Sequence, residues 1–152
     1  ALQRIFSVAR EVLVEELIIG IEVTVGTLDS TALGSTEVAP KDGFYDFSNK
    51  YTAGATVYHS PARLPAHRIE ALNAQAALAI RTLGCRGGCR VDFLCSDERD
   101  LMLEVNTLPG LTPTSLLPMC AEQSGLDYTA LCLAMLRGAQ LDRRIREAPE
   151  VG

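Results

Sequence analysis

The stretch that most constrains this chain is Arg90-Val91-Asp92-Phe93-Leu94, followed after a polar turn by Leu103-Glu104-Val105-Asn106-Thr107-Leu108-Pro109-Gly110. Strand side chains alternate faces, so Arg90, Asp92 and Leu94 share one face, and Met102, Glu104 and Asn106 share one face of the next strand. A hairpin folded about Ser96-Asp97-Glu98-Arg99-Asp100 sets Asp92 opposite Glu104 and Arg90 opposite Asn106. The other face then carries Val91, Phe93 and Cys95 against Leu101, Leu103 and Val105, an apolar set that fits a core. Two carboxylates facing each other on a sheet repel unless something positive lies between them. A hard cation with oxygen ligands, Mg²⁺ above all, answers that need, and such a cation would in turn hold a phosphate. The competing reading is a solvated hairpin face that happens to carry charges. Leu94 and Met102 on the same face, and like charges that oppose rather than alternate, weigh against it. Arg90 is either a partner for these carboxylates or a group that stabilises charge developing on a transferred oxygen.

At 152 residues and 47% apolar content, the chain is long enough for one domain with a real core. Fourteen basic residues against nineteen acidic, with no basic run and no aromatic ladder, argue against a nucleic-acid partner. The apolar stretch near the start is interrupted by Glu15, Glu16 and Glu22, too soon for a bilayer span. No charged leader with an apolar core and cleavage site is visible. The five cysteines include no C-x-x-C pair and lie far from His59 and His67, so free, mostly buried thiols in a reducing cytoplasm are expected. The two histidines read as surface residues. The opening Ala-Leu-Gln-Arg-Ile-Phe reads as a helix already in progress, as in the later part of a longer protein.

Helical turns over roughly 1–10 are expected to lead into a strand, Val12-Leu13-Val14-Glu15, and then a second from Ile21 to Leu28, where β-branched residues alternate with Glu22, Thr24 and Gly26. A third strand is expected near 35–39. Residues 41–60 form a polar loop with four aromatics, Phe44, Tyr45, Phe47 and Tyr51, which reads as a cover over a site. Lys50 within it is either a solvated charge or a phosphate contact, and Glu15 and Glu22 are either exposed strand ends or ligand contacts. Pro65 opens a long helix that Gly84 stops. After the hairpin, Thr112-Pro113-Thr114-Ser115 supplies cap chemistry for a short helix, Leu116 to Gln123, closed by Gly125. Asp127 caps a last helix to about Arg146. Gly110 allows close backbone approach or positive φ, and Ser115 stands at a helix start where N–H groups can meet an anion. The fold class is α+β.

The strings V-E-E-L-I-I-G-I-E from Val14, G-F-Y-D-F-S-N-K-Y, C-R-V-D-F and L-E-V-N-T-L-P-G-L-T-P-T-S-L-L-P resemble, in order and spacing, the D-alanine–D-alanine ligases, which are ATP-grasp enzymes. The resemblance covers nearly the whole chain. It implies the ATP-grasp C-terminal subdomain over 1–152, a largely antiparallel sheet with helices packed on it, with the N-terminal domain and most of the central domain of the family absent. It also implies ATP- and Mg²⁺-dependent joining of two D-alanines for peptidoglycan precursors, in the cytoplasm, by an enzyme that is a homodimer at full length.

By position, Asp92, Glu104 and Asn106 would hold two Mg²⁺ ions, with Glu104 bridging and Mn²⁺ able to substitute. Glu15 and the backbone around Leu17 and Ile18 would meet the adenine edge. Glu22 would bind the ribose, Phe44 and Leu94 would line the adenine pocket, and Lys50 would touch the terminal phosphates. Arg90 and Gly110 would stabilise the tetrahedral intermediate, with Ser115 and Leu116 receiving the second D-alanine's carboxylate. Tyr51 beside Lys50 points to a dipeptide rather than a D-lactate ester. Other readings are an acceptor such as D-lactate or D-serine, or a nucleotide-binding fragment without catalysis. Two departures stand out: Cys89 where a small Gly usually precedes the Arg, which would shift Arg90 slightly, and Glu16 where Lys is common.

Overall fold

The computed structural model describes residues 2–40 and 56–140. Among them, five strands form one antiparallel sheet: β1 (Ile21–Leu28), β2 (Thr31–Pro40), β3 (Thr56–His59), β4 (Gly88–Cys95) and β5 (Asp100–Asn106). Their order is β3-β2-β1-β4-β5, so β1 is central and joins the β4–β5 hairpin to β2. β1 and β2 meet in a tight turn at Asp29-Ser30, where Asp29 takes a left-handed φ of 52°. Aspartate is among the residues that tolerate that region, and its Oδ1 accepts from Gly87 N at 2.8 Å, joining this turn to the one before β4.

A short α1 (Leu2–Phe6) begins the described chain, and α2 (Ala66–Leu83) is the long helix expected between Pro65 and Gly84. Gly84 ends α2 at φ 68°, its N–H and that of Cys85 closing on Arg81 and Ile80 carbonyls. A residue without Cβ suits this left-handed cap. Leu72, Ala76 and Ile80 recur every fourth residue, a stripe on one helix face. They are buried with Val23, Val25, Val91 and Phe93 from β1 and β4. Each large side chain so buried contributes on the order of 1.5–3 kcal/mol.

The opposite face of β1 and β2 takes α3 (Leu116–Glu122), backed by α4 (Tyr128–Gly138). A Cβ on Gly26 would lie 2.6 Å from Cys120 Cβ, so glycine at 26 is what lets α3 rest directly on β1. Leu33, Leu117, Ala121 and Leu131 form the core there. No helix among the described residues is long and apolar enough to cross a membrane.

Several expectations fail for identifiable reasons. Residues 12–15 are not a strand, and β1, which they precede, already has β2 and β4 as partners. Leu13, Val14, Leu17 and Ile19 there are exposed. The first helix ends at Phe6, and β2 begins at Thr31 rather than near 35. Residues 56–59, expected within the covering loop, are β3; the rest of that loop, 41–55, lies outside the described residues. The last helix ends at Gly138 rather than near Arg146, because Ala139 turns to extended backbone at ψ 127°.

Most consequential, a bulge interrupts the hairpin. Asp92 pairs with Glu104, but Phe93 pairs with Met102 and Leu94 with Leu101, leaving Leu103 as the extra residue. Leu103 is accordingly exposed, and of the three residues expected to face the core only Val105 packs against it. Met102 is thereby displaced from the face shared by Asp92 and Leu94.

Candidate functional site

Antiparallel pairing places side chains of opposed residues on one face, and through β1, β4 and β5 this builds three cross-strand rows. Gly26, Arg90 and Asn106 form the first, Thr24, Asp92 and Glu104 the second, and Glu22, Leu94 and Leu101 the third. Rows on one face repeat about every 7 Å, so the carboxylate pair lies one step from Arg90 and one step from Glu22. The expected opposition of Asp92 to Glu104 and Arg90 to Asn106 is present, ahead of the bulge that displaces Leu103.

The second row runs from closed to open. Thr24 and Asp92 are buried, while Glu104 is exposed. Asp92 is therefore no solvated surface charge. Its Oδ1 accepts from Arg90 Nε at 2.9 Å and from Thr24 Oγ1 at 2.5 Å, and its Oδ2 accepts from Arg90 Nη2 at 2.8 Å. The forked geometry matches the planar guanidinium to the carboxylate, and such charge-assisted bonds are the strong ones. A carboxylate this deep would be costly without them. Cys89, the departure beside Arg90, turns to the opposite face and is buried in the core, while β4 stays in unbroken register with β1.

Asp92, Glu104 and Asn106 offer only oxygen donors, two carboxylates and an amide, a set suited to a hard divalent cation. Among the described residues no group of three or more His, Cys, Asp or Glu is arranged to hold a metal. Three protein oxygens do not close a cage, and Mg²⁺ ordinarily keeps positions for water and substrate phosphate. The residues present fit that use.

Past β5, Asn106 Oδ1 accepts from Leu108 N at 3.1 Å and bends the chain toward Gly110. Gly110 lacks a positive φ; its role is close approach, since a Cβ there would lie 3.1 Å from Ser115 Oγ. Ser115 occupies the N-cap position of α3 but does not cap it. Its Oγ accepts from Thr112 N at 3.0 Å and bonds Thr112 Oγ1 at 2.8 Å, bracing the loop instead. Tyr128 donates its hydroxyl to the Leu111 carbonyl at 2.9 Å and ties that loop to α4. Leu116 begins α3 beside Ser115.

Glu15, Leu17 and Ile18 lie in the irregular segment before β1, Glu15 and Leu17 exposed and Ile18 half-buried. Glu16 pairs with Arg99 at 2.6 Å, so the acidic departure at 16 holds this segment to the β4–β5 turn. Phe44, Lys50 and Tyr51 lie outside the described residues. Thr24 and Cys120 were not singled out by sequence reasoning; Cys120 Sγ lies 3.4 Å from Thr36 Oγ1 and donates to the Thr24 carbonyl at 3.8 Å. The signal for Thr24 was its alternation with Glu22 and Gly26, but its neighbour Asp92 comes only with the β1–β4 register.

A family model described as the D-ala D-ala ligase C-terminus matches residues 1–137. The chain is 48% identical over 134 residues to a D-alanine–D-alanine ligase of Anaeromyxobacter sp. (strain K), covering 88% of this chain and 44% of that protein. Against the Zymomonas mobilis D-alanine–D-alanine ligase it is 42% identical over 147 residues, covering 94% and 46%. Its fold superposes on the Bacillus anthracis D-alanine–D-alanine ligase complexed with ATP at a TM-score of 0.71 and 33% identity, over 90% of this chain and 45% of that one. The VanG D-Ala:D-Ser ligase of Enterococcus faecalis follows at a TM-score of 0.65 and 29% identity, over 80% and 37%. The antiparallel sheet with helices on both faces is thus the ATP-grasp C-terminal fold. The chain spans under half the length of these relatives.

Proposed function

The chain belongs to the D-alanine–D-alanine ligase family, and from that premise we propose that residues 1–152 are the C-terminal ATP-grasp segment of an enzyme that joins two D-alanines at the expense of ATP. The observation that carries this is the pair of rows in which Asp92 opposes Glu104 and Arg90 opposes Asn106, with Arg90 forked onto the buried Asp92. Asp92, Glu104 and Asn106 would hold two Mg²⁺ ions, which when bound would neutralise the phosphates of ATP. Glu22 and Leu94, one row away, would take the ribose and adenine, with Glu15 and the backbone at Leu17 and Ile18 on the adenine edge. Phe44, Lys50 and Tyr51 complete the nucleotide and substrate cover on the strength of the resemblance.

In the proposed reaction the first D-alanine's carboxylate attacks the terminal phosphorus and ADP leaves, giving an acyl phosphate. The second D-alanine's amine attacks the carbonyl carbon, and phosphate departs. Arg90 and the Gly110 N–H meet the negative oxygen of the tetrahedral stage, and Ser115 with Leu116 receive the second carboxylate. The chain's contribution is positioning and charge neutralisation.

A D-serine acceptor is the second reading, favoured by the likeness to the VanG ligase. Higher identity to D-alanine–D-alanine ligases favours D-alanine. Competition between the two amino acids on the full-length enzyme separates them. The resemblance also supports a cytoplasmic homodimer, and sedimentation of the full-length protein in the ultracentrifuge tests the dimeric part of that reading.

The experiment for the site is ATP binding by calorimetry to the full-length protein, with and without Mg²⁺, against the Asp92→Asn/Glu104→Gln double variant. Mg²⁺-dependent binding that disappears in the variant is the expected result; binding that persists with its Mg²⁺ dependence intact would remove these carboxylates from the metal site. The same reading assigns part of every substrate site to sequence beyond these 152 residues, so dipeptide synthesis by the 152-residue chain alone would overturn that division.

A further inference from the structure

Thr24 has no role in the reading above, yet it makes the closest contact to the Asp92 carboxylate. It is 1% exposed, lies between Thr36 of β2 and Asp92 of β4 in the sheet, and its carbonyl is met by Cys120 from α3. An ionised carboxylate has no proton to give, so the hydroxyl is the donor. Asp92 Oδ1 therefore carries two donors, Thr24 Oγ1 at 2.5 Å and Arg90 Nε at 2.9 Å, whereas Oδ2 carries Arg90 Nη2 at 2.8 Å.

We propose that Thr24 is a positioning residue for metal binding: its hydroxyl holds Asp92 by Oδ1 and so presents Oδ2 to the divalent cation. The inference rests on the metal assignment made above. Three features of the structure support it. Burial deepens along the row from exposed Glu104 through Asp92 to Thr24, so Thr24 acts from the closed side and leaves the open side for ligand. A β-branched side chain is stiff at χ1, which suits a fixed donor. Finally, Arg90 also has proposed work on the reacting oxygen; whatever part of its fork that work takes, the Thr24 bond remains to keep the carboxylate from rotating. Partners of a metal-binding carboxylate that touch no metal themselves typically change affinity or activity by about 10–100-fold when removed.

The test uses the full-length ligase as wild type, Thr24→Val, Thr24→Ser and Asp92→Asn. Mn²⁺ binding in the presence of ADP is read by electron paramagnetic resonance, alongside the Mg²⁺ dependence of turnover and the KM for D-alanine. Thr24→Val keeps the shape and loses the donor; it should weaken Mn²⁺ binding about 10-fold or more and shift the Mg²⁺ activation curve to match, with the D-alanine KM unchanged. Thr24→Ser, which keeps the donor, should stay within about twofold of wild type. Should circular dichroism show Thr24→Val unfolded, Thr24→Ala is read in its place. Wild-type Mn²⁺ affinity in the donor-less variant, with Asp92→Asn impaired, would overturn the role of Thr24 alone. Wild-type affinity in Asp92→Asn would overturn the metal assignment and this inference with it.

Discussion

Arg90 and Asp92, two residues apart on β4, are joined by two parallel hydrogen bonds, Nε to Oδ1 at 2.9 Å and Nη2 to Oδ2 at 2.8 Å. Neighbours at this spacing share a face because of the strand period, but the fork requires a planar donor of fixed shape. The pair puts the proposed cation ligand and the proposed oxyanion contact under one constraint.

Arg90→Lys keeps the charge and loses the fork. In the full-length ligase it should lower kcat by about 100-fold with a smaller change in the KM for ATP. Steady-state kinetics with ATP and D-alanine varied separately check this, and turnover close to wild type would detach Arg90 from the reacting oxygen.

Gly26→Ala should destabilise the fold without adding any polar group. The new Cβ would sit 2.6 Å from Cys120 Cβ, so α3 must move off β1. Overpacking of this kind costs about 1–3 kcal/mol. Urea denaturation should show the midpoint falling; an unchanged midpoint would mean that α3 shifts without cost.

Glu37 is buried and accepts from Arg63 through Nη2 at 2.6 Å, Nε at 3.1 Å and the backbone N at 3.1 Å. The Arg63 side-chain bonds, against the opposing cost of burial, hold its carboxyl below the ordinary glutamate value of 4.5. A lowered folded value means that this stabilisation is fully present above 4.5 and is lost as pH falls below it through the folded value. Unfolding free energies measured from neutral to acid pH should therefore fall less steeply below 4.5 in Glu37→Gln than in wild type. Parallel slopes would show that Glu37 titrates alike in both states.

Among the thiols, burial pushes Cys95 up to about 12, aided by its hydrogen bond with Asp100, and burial also raises Cys89 and Cys120. Cys85 and Cys132 are only partly buried. Since the thiolate is the reactive form, iodoacetamide at mildly alkaline pH should label Cys85 and Cys132 in the native protein and the other three only on unfolding. Mass spectrometry of the labelled peptides reads this directly. Labelling of Cys95 as fast as Cys85 would contradict its burial.

Where local signals suffice, the chain was readable. The Ile21–Leu28 strand has the expected bounds because its alternation is uninterrupted, and the long helix Ala66–Leu83 lies between Pro65 and Gly84 because a residue of fixed φ precedes it and a left-handed residue ends it. Asp92 opposite Glu104 followed from period-2 alternation about a short polar turn. Leu103 was misplaced because a bulge depends on how β4 bends against its partner, which one strand's alternation does not record. The segment Val12-Leu13-Val14-Glu15 looked like a strand because its residues favour one, yet a strand also needs an open edge to pair with, and β1 has none.

The sequence by itself therefore determined the family, the sheet-forming segments and the opposed carboxylates, since each depends on residues near one another along the chain. Tertiary structure alone decided that Thr24 meets Asp92, that Cys120 closes on Gly26, and that Glu22 stands one row from the carboxylate pair. Those contacts join residues 68 to 94 positions apart, and their pairing is set by the register of β1 between β2 and β4 and by the seating of α3, which no local pattern encodes.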